Sequence, residues 1–258
     1  MREVRGFTLV ELITVIMILG ILSIGTVKFI TDSSQGFFST MGRAALAGDA
    51  RFVAQRLARE VRDALPNSVR VSGGCLEFVP TVGASTYTTL PVANVASSFL
   101  SVPVDPLPVP ANSRVAVFPD LDVYTLASPG EVSPAVTVSA PDGNNEVTVT
   151  FASDHRFVTT SPGNRYFFVG SPVSYCVDGA QLFRYNGYGF QSTQLTAAGL
   201  PSALPGRAMV AKDVDTLNPF TFNDATLTRN AVLEIDLNFV RDGDEVRIEH
   251  AVQVRNVP

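Results

Sequence analysis

The stretch Gly6-Phe7-Thr8-Leu9-Val10-Glu11, followed by an apolar run that continues to Ile30, decides how this chain is read. Sixteen consecutive uncharged residues, 12–27, separate Glu11 from Lys28, and Leu, Ile, Val and Met dominate them. As a helix, residues 7–30 would be about 36 Å long, enough to cross a hydrocarbon core of about 30 Å. Arg2 and Arg5 precede the run, which predicts a cytoplasmic N-terminus and an exported bulk. A cleaved secretory signal is the competing reading. It fails because no small-residue cleavage site follows the run and the helical pattern continues beyond it.

The rest of the composition bounds the class. Of 258 residues 46% are hydrophobic, which excludes an intrinsically disordered chain. A net charge of −5 weighs against a protein that holds nucleic acid through a broad basic surface. Two His and two Cys leave little room for a zinc site, and neither a metal nor a cofactor is expected. Glu11 is the anomaly within the apolar segment. An ionised carboxylate there costs several kcal/mol unless it is paired or reaches the interface; lying at headgroup level is the plainer account.

Gly6-Phe7-Thr8-Leu9-Val10-Glu11, behind a short basic leader and ahead of a long apolar helix, resembles the processing site of type IV prepilins and pseudopilins. The resemblance covers about thirty residues. It implies that a membrane-embedded peptidase and N-methyltransferase cuts between Gly6 and Phe7 and methylates the new Phe7 amine. The leader carries +1, so the mature side chains would carry −6. It also implies that the Glu11 carboxylate meets the terminal amine of a neighbouring subunit, which fits the need of such a group for a cation. Pilin-like subunits that cap a filament often lack this glutamate, so its presence implies a place below the very tip. Major pilins commonly have a proline where this chain has Lys28, which points to a minor, priming subunit.

Beyond the anchor, residues 31–40 are polar and include Gly36, which predicts a weak point or short hinge. Residues 41–65 resume a helical pattern. Val53, Leu57, Val61 and Leu65 form one apolar stripe, and Arg56 with Glu60 and Arg59 with Asp63 stand four apart on the charged face. Pro66-Asn67 ends the pattern. Short alternating runs follow at 69–71, 76–79, 115–118, 136–139, 147–151, 166–169, 173–177 and 182–185, punctuated by Gly, Pro, Asn and Asp. They predict an antiparallel sheet-rich domain. The clearest hairpin is the last, with Leu233, Ile235, Leu237 and Phe239 leading to Asp242-Gly243 and then Val246, Ile248, His250, Val252 and Val254. Residues 83–113, with Pro91, Pro103, Pro106, Pro108 and Pro110, and residues 195–223 read as long irregular loops. The expected fold is α+β: a long N-terminal helix, transmembrane then amphipathic, packed on an antiparallel β-rich domain. Its divisions are a leader at 1–6, a membrane or filament-core helix at 7–30, a hinge and amphipathic helix at 31–66, and an exported domain at 67–258.

Cys75 and Cys176 both lie in strand-like runs, and in an exported domain two cysteines most simply form one disulfide, with two separate thiols as the alternative. Asp154-His155 lacks a Gly-x-Ser-x-Gly elbow and reads as a surface turn. Asp142-Gly143-Asn144-Asn145-Glu146 has closely spaced oxygen ligands without an EF-hand's extended pattern, so a hairpin turn is weighed against a calcium site. Gly187-Tyr188-Gly189 lacks the third glycine and following helix of a dinucleotide site. Arg184, Tyr185, Tyr188 and Phe190 form an exposed-looking cluster, weighed as strand packing against a DNA-stacking surface. No catalytic constellation is found.

Ser161-Pro162-Gly163-Asn164-Arg165-Tyr166-Phe167-Phe168-Val169, Pro172-Val173-Ser174-Tyr175-Cys176, Leu182-Phe183-Arg184-Tyr185-Asn186-Gly187-Tyr188 and Asn256-Val257-Pro258 together resemble the O-type minor pilins of mannose-sensitive haemagglutinin (MSHA) pili. The Arg56-Leu57-Ala58-Arg59-Glu60-Val61-Arg62 helix fits them and the related J-type pseudopilins and W-type minor pilins. The resemblance implies a non-enzymatic subunit that helps initiate a type IV pilus. Its partners would be other minor and major pilins, the prepilin peptidase and N-methyltransferase, and the inner-membrane assembly platform. It would sit in the bacterial inner membrane before assembly and in the pilus afterwards. The alternatives are a type II secretion pseudopilin and a tip adhesin holding glycan or DNA through residues 83–113 and 184–190.

Overall fold

Thr8 opens the helix. Its Oγ1 accepts the Glu11 N–H at 3.3 Å, capping α1 (Leu9–Arg62) with the Thr-x-x-Glu spacing of a capping box. The computed structural model describes residues 7–103, 108–120, 122–225 and 230–254; the leader 1–6 with Gly6, Pro106 and the terminal Asn256-Val257-Pro258 lie outside the described residues. By its internal contacts the chain divides into two units between Gly48 and Asp49. The first unit is the helical stretch up to Gly48. The second holds the last turns of α1 and every strand.

In the first unit the apolar side chains stand uncovered: Phe7 is 76%, Ile24 74% and Phe29 71% exposed. The hydroxyls of Thr14, Ser23, Thr26 and Thr31 each donate to a carbonyl three or four residues back, at 2.7–2.9 Å. These four hydroxyls are thereby satisfied within the helix itself, as an apolar surrounding requires. Residues 31–40, where the sequence predicts a weak point or short hinge, are helical and continuous with the rest of α1. Ser39 and Thr40 both donate back to the Gly36 carbonyl there.

In the second unit α1 buries Ala50, Val53, Ala54, Leu57, Ala58 and Val61, the stripe that the sequence periodicity predicts. The helix stops at Arg62 rather than Leu65. Ala64 bridges Pro80, the Leu65 N–H donates to the Val79 carbonyl at 2.8 Å, and the Thr81 N–H reaches the Asp63 carbonyl at 3.0 Å. Sheet-type pairing takes the backbone over before Pro66 would break it.

The strands are β1 (Arg70–Ser72), β2 (Cys75–Phe78), β3 (Thr81–Thr86), β4 (Ala96–Ser101), β5 (Arg114–Ala116), β6 (Val132–Val138) and β7 (Val147–His155). After them come β8 (Arg165–Val169), β9 (Val173–Asp178), β10 (Gln181–Tyr185), β11 (Arg207–Lys212), β12 (Phe220–Asn223), β13 (Ala231–Arg241) and β14 (Asp244–Val254). They form an antiparallel five-stranded sheet β1-β2-β9-β10-β11, a three-stranded sheet β12-β13-β14 and a six-stranded sheet β3-β8-β5-β6-β7-β4. The six-stranded sheet closes on itself. Its end strands meet through the bridge of Tyr87 with Ser101, and through Val102 N–H to the Thr86 carbonyl and Thr88 N–H to the Leu100 carbonyl. Closure pairs the two end strands with each other.

Aromatic rings fill this barrel. Phe99 stands 5.4 Å from Tyr166 edge-on and 5.6 Å from Phe151, among Val115, Val136, Val149 and Phe168. The Tyr166 hydroxyl meets Ser101 Oγ at 2.6 Å. The stretch 83–113, expected as an irregular loop, therefore supplies the end of β3 and all of β4, the seam of the barrel. Likewise 195–223 contains β11 and β12. The expected hairpin is present as β13 and β14, paired from Ala231 with Val254 to Arg241 with Asp244. Its turn residues Asp242 and Gly243 take φ of 52° and 87°, the conformation that selects Asp-Gly.

The barrel is an excursion between β2 and β9, and those strands pair at its root. Gly170 N–H donates to the Pro80 carbonyl at 2.9 Å. Cys75 and Cys176 face each other in register, with Cα atoms 4.3 Å apart, and are bonded. Their 101-residue separation makes the bridge a constraint on the unfolded chain, by about 2–5 kcal/mol. Replacing both cysteines with serine should lower the melting temperature of the full chain in detergent by roughly 5–15 °C. A melting temperature unchanged by that replacement would contradict the assignment.

Candidate functional site

Two sets of residues carry the chemistry of this chain. One lies at the start of α1. Phe7 is exposed, Thr8 caps the helix, and Glu11 stands exposed on the first turn. There the positive end of the helix dipole favours a carboxylate. The capping relation between Thr8 and Glu11 escaped the sequence reading, although the Thr-x-x-Glu spacing carries it. Gly6, the expected residue before the cleavage point, lies outside the described residues. α1 is long and apolar enough to cross a membrane.

The other set is a pair of ionic clamps, one around a buried carboxylate and one half-buried. The Glu77 side chain is fully buried, with Arg70 Nε 2.6 Å from Oε2 and the Tyr188 hydroxyl donating to Oε1 at 2.9 Å. Arg70 also donates to the carbonyls of Gln191 and Ser192 at 2.7 and 2.8 Å, and its guanidinium lies 3.5 Å from the centre of the Tyr124 ring. Burial, then the Glu77 charge, pushes the Tyr188 phenol far above its ordinary range. The second clamp joins helix to sheet: Glu60 takes Arg184 Nε at 3.0 Å and Arg56 Nε at 3.2 Å. Burial works against the Glu60 charge, but the bonds from Arg184 and Arg56 hold its carboxyl below the ordinary value.

The cluster Arg184, Tyr185, Tyr188 and Phe190, expected as exposed-looking, is thus largely internal. Tyr185 is 1% exposed, Tyr188 is bonded to Ser174 and Glu77, and Phe190 packs against the buried cluster that includes Tyr124. Gly187 and Gly189 have φ of 73° and 75°, so Gly187-Tyr188-Gly189 is a turn that glycine makes possible. Its work is to aim Tyr188 at Glu77.

His155 also differs from expectation. The sequence reads as a surface turn, yet the ring is 1% exposed and stands edge-on to Phe157 at 4.7 Å. The alternation of β7 carries it inward, and Asp154 outward. Burial holds the His155 pKa below its ordinary value, against a bond with the Gly130 backbone. Asp142 is occupied by its own turn: Oδ1 accepts the N–H of Asn144 at 2.9 Å and of Glu146 at 2.8 Å. Among the described residues no group of three or more His, Cys, Asp and Glu side chains gathers around a common point.

Residues 1–27 match the family model described as the prokaryotic N-terminal methylation motif. Comparison with curated proteins and with solved structures gives no match. That motif opens an uncovered apolar helix, which the chain joins to a sheet-rich unit. The chain's N-terminal signature is that of the prepilin and pseudopilin superfamily.

Two stability measurements test these assignments. Replacing Arg70 with Met leaves Glu77 buried without its cation and should cost about 3–5 kcal/mol, against about 1 kcal/mol for Tyr188→Phe, by denaturant unfolding. Because the folded state disfavours charged His155, unfolding takes up a proton at low pH. The His155 contribution is therefore present above about pH 6.5 and lost as pH falls below it. His155→Phe should flatten that part of the stability profile; an unchanged slope would contradict the burial.

Proposed function

We propose that this chain is a minor pilin of a type IV pilus, a structural subunit that helps to initiate assembly and lies near the pilus tip. The observation that carries the reading is Gly6-Phe7-Thr8-Leu9-Val10-Glu11 standing in register with an apolar helix that its own chain leaves uncovered. The inner-membrane peptidase removes residues 1–6 and methylates Phe7, and residues 7–30 hold the subunit in the membrane with the strand-bearing unit outside. During assembly that helix moves from lipid into the filament core, where Glu11 takes the terminal amine of a neighbour. Other pilins and the inner-membrane platform are its partners.

Within this class we assign the chain to the O-type subunits of MSHA pili. Support comes from the ordered motifs at 161–169, 172–176 and 182–188. The side chains they contribute include Tyr166, Phe168, Tyr175, Cys176, Leu182 and Tyr185, all buried. Those motifs supply part of the barrel core and of the disulfide-bearing sheet. A secretion pseudopilin would share the same N-terminal chemistry, and a haemagglutinin-pilus gene neighbourhood distinguishes the two.

Mass spectrometry of the protein from membranes should show a chain beginning at N-methylated Phe7; an intact Met1 start contradicts the reading. Glu11→Ala should leave cleavage after Gly6 intact while pilus number falls severalfold. Normal piliation in that variant would remove the role given to Glu11.

A further inference from the structure

We propose that a second copy of this chain extends the β12-β13-β14 sheet along the outer edge of β14, antiparallel and centred on Ile248. Arg247 of each copy then stands opposite Glu249 of the other.

The free edge follows from the hairpin. A two-residue turn makes Arg241 and Asp244 a hydrogen-bonded pair, so the even-numbered residues of β14 commit their backbone groups to β13. The far side of β13 agrees: the N–H groups of Asp236, Asn238 and Val240 point away from β14, each donating at 2.8 Å to an acceptor beyond. The backbone groups of Glu245, Arg247, Glu249, Ala251 and Gln253 therefore face outward. Among the described residues β14 is the end of its sheet, and an edge of eleven residues is a template for another strand. On the helix side the space is open, a groove of about 450 Å³ lined by Gln55, Ala58, Arg59, Arg62, Asp63 and His250.

Charge selects the occupant and the register. Asp236 and Glu249 stand directly opposite on one face, an unfavourable arrangement for like charges. They share one cation, Arg247, which lies 2.8 and 2.6 Å from the Asp236 oxygens and 3.1 Å from Glu249. Glu249 and Arg247 alternate along this edge, so a second copy in the matching register sets its Arg247 beside Glu249 and its Glu249 beside Arg247. Outward-facing residues pair with outward-facing residues, which limits the possible centres. A two-fold on Arg247 or Glu249 sets like charges against each other. A two-fold on Val246 overlaps only residues 244–248, and one on His250 puts Glu249 opposite Ala251. Centring on Ile248 overlaps residues 244–252, makes two Arg247–Glu249 pairs and brings half-buried Ile248 against its own copy.

The test uses the full chain in detergent or in native membranes. Both native cysteines are bonded to each other, so an introduced cysteine is the one free thiol. In the proposed register Ile248 faces Ile248 as a non-hydrogen-bonded pair with Cα atoms about 4.5 Å apart, within disulfide range. Ile248→Cys should give disulfide-linked dimers under mild oxidation. Adding Glu249→Arg, which sets Arg against Arg twice, should reduce them about tenfold. Adding Arg247→Glu to that variant restores opposite charges and should restore the dimers. Monomer alone with Ile248→Cys overturns the proposal. Equally contrary would be cross-linking at Glu249→Cys in its place, cross-linking to a different protein, or dimers indifferent to the charge exchange.

Discussion

Uncovered apolar surface governs this molecule. From Phe7 to Met41 the side chains of α1 stand exposed, and water disfavours each large apolar group left in contact with it by about 1.5–3 kcal/mol relative to burial. The hydroxyls of Thr14, Ser23 and Thr26 already bond within the helix, so residues 12–27 ask nothing polar of their surroundings. Under the proposed function lipid meets that demand before assembly and neighbouring helices meet it afterwards. A structure that must satisfy both keeps its surface apolar all round and its carboxylate at one end.

The second unit solves a different problem, that of holding its strands and the last turns of α1 together. It does so by making its joints ionic and its centre aromatic. Glu60 ties the last turns of α1 to β10 through Arg184, and Arg70 ties the turn around Tyr188 to β1 and β2 through Glu77. Charges wholly or partly withdrawn from water stabilise weakly as pairs but penalise any arrangement that separates them. They therefore fix how the pieces meet. The barrel hangs from β2 and β9, and the disulfide at that root prevents the two strands from parting.

What the sequence disclosed follows from the range of each interaction. Helix periodicity and the Asp242-Gly243 hairpin are local, and residues a few positions apart spell them out. The seam of the barrel is not local. Tyr87 meets Ser101, and Phe99 meets Tyr166, so a stretch poor in alternation and interrupted by prolines becomes strand because distant rings draw it inward. His155 was misplaced for the same reason, since Asp154-His155 reads as a turn until β7 is extended through it. At the N-terminus the motif itself was legible, and the capping bond from Thr8 to Glu11 gave it a structural partner that pattern alone had not supplied.

The proposed function requires that residues 7–30 be sheltered by lipid while the strand-bearing unit lies outside the cell membrane. Single cysteines placed at Ile18 and at exposed Thr137 of β6, each tested in intact cells with a membrane-impermeant maleimide, measure this directly. The account predicts that the Thr137 site labels from the outer side of the inner membrane and that the Ile18 site stays unlabelled until the protein is denatured. Labelling of the Ile18 site at a rate matching Thr137 would contradict it.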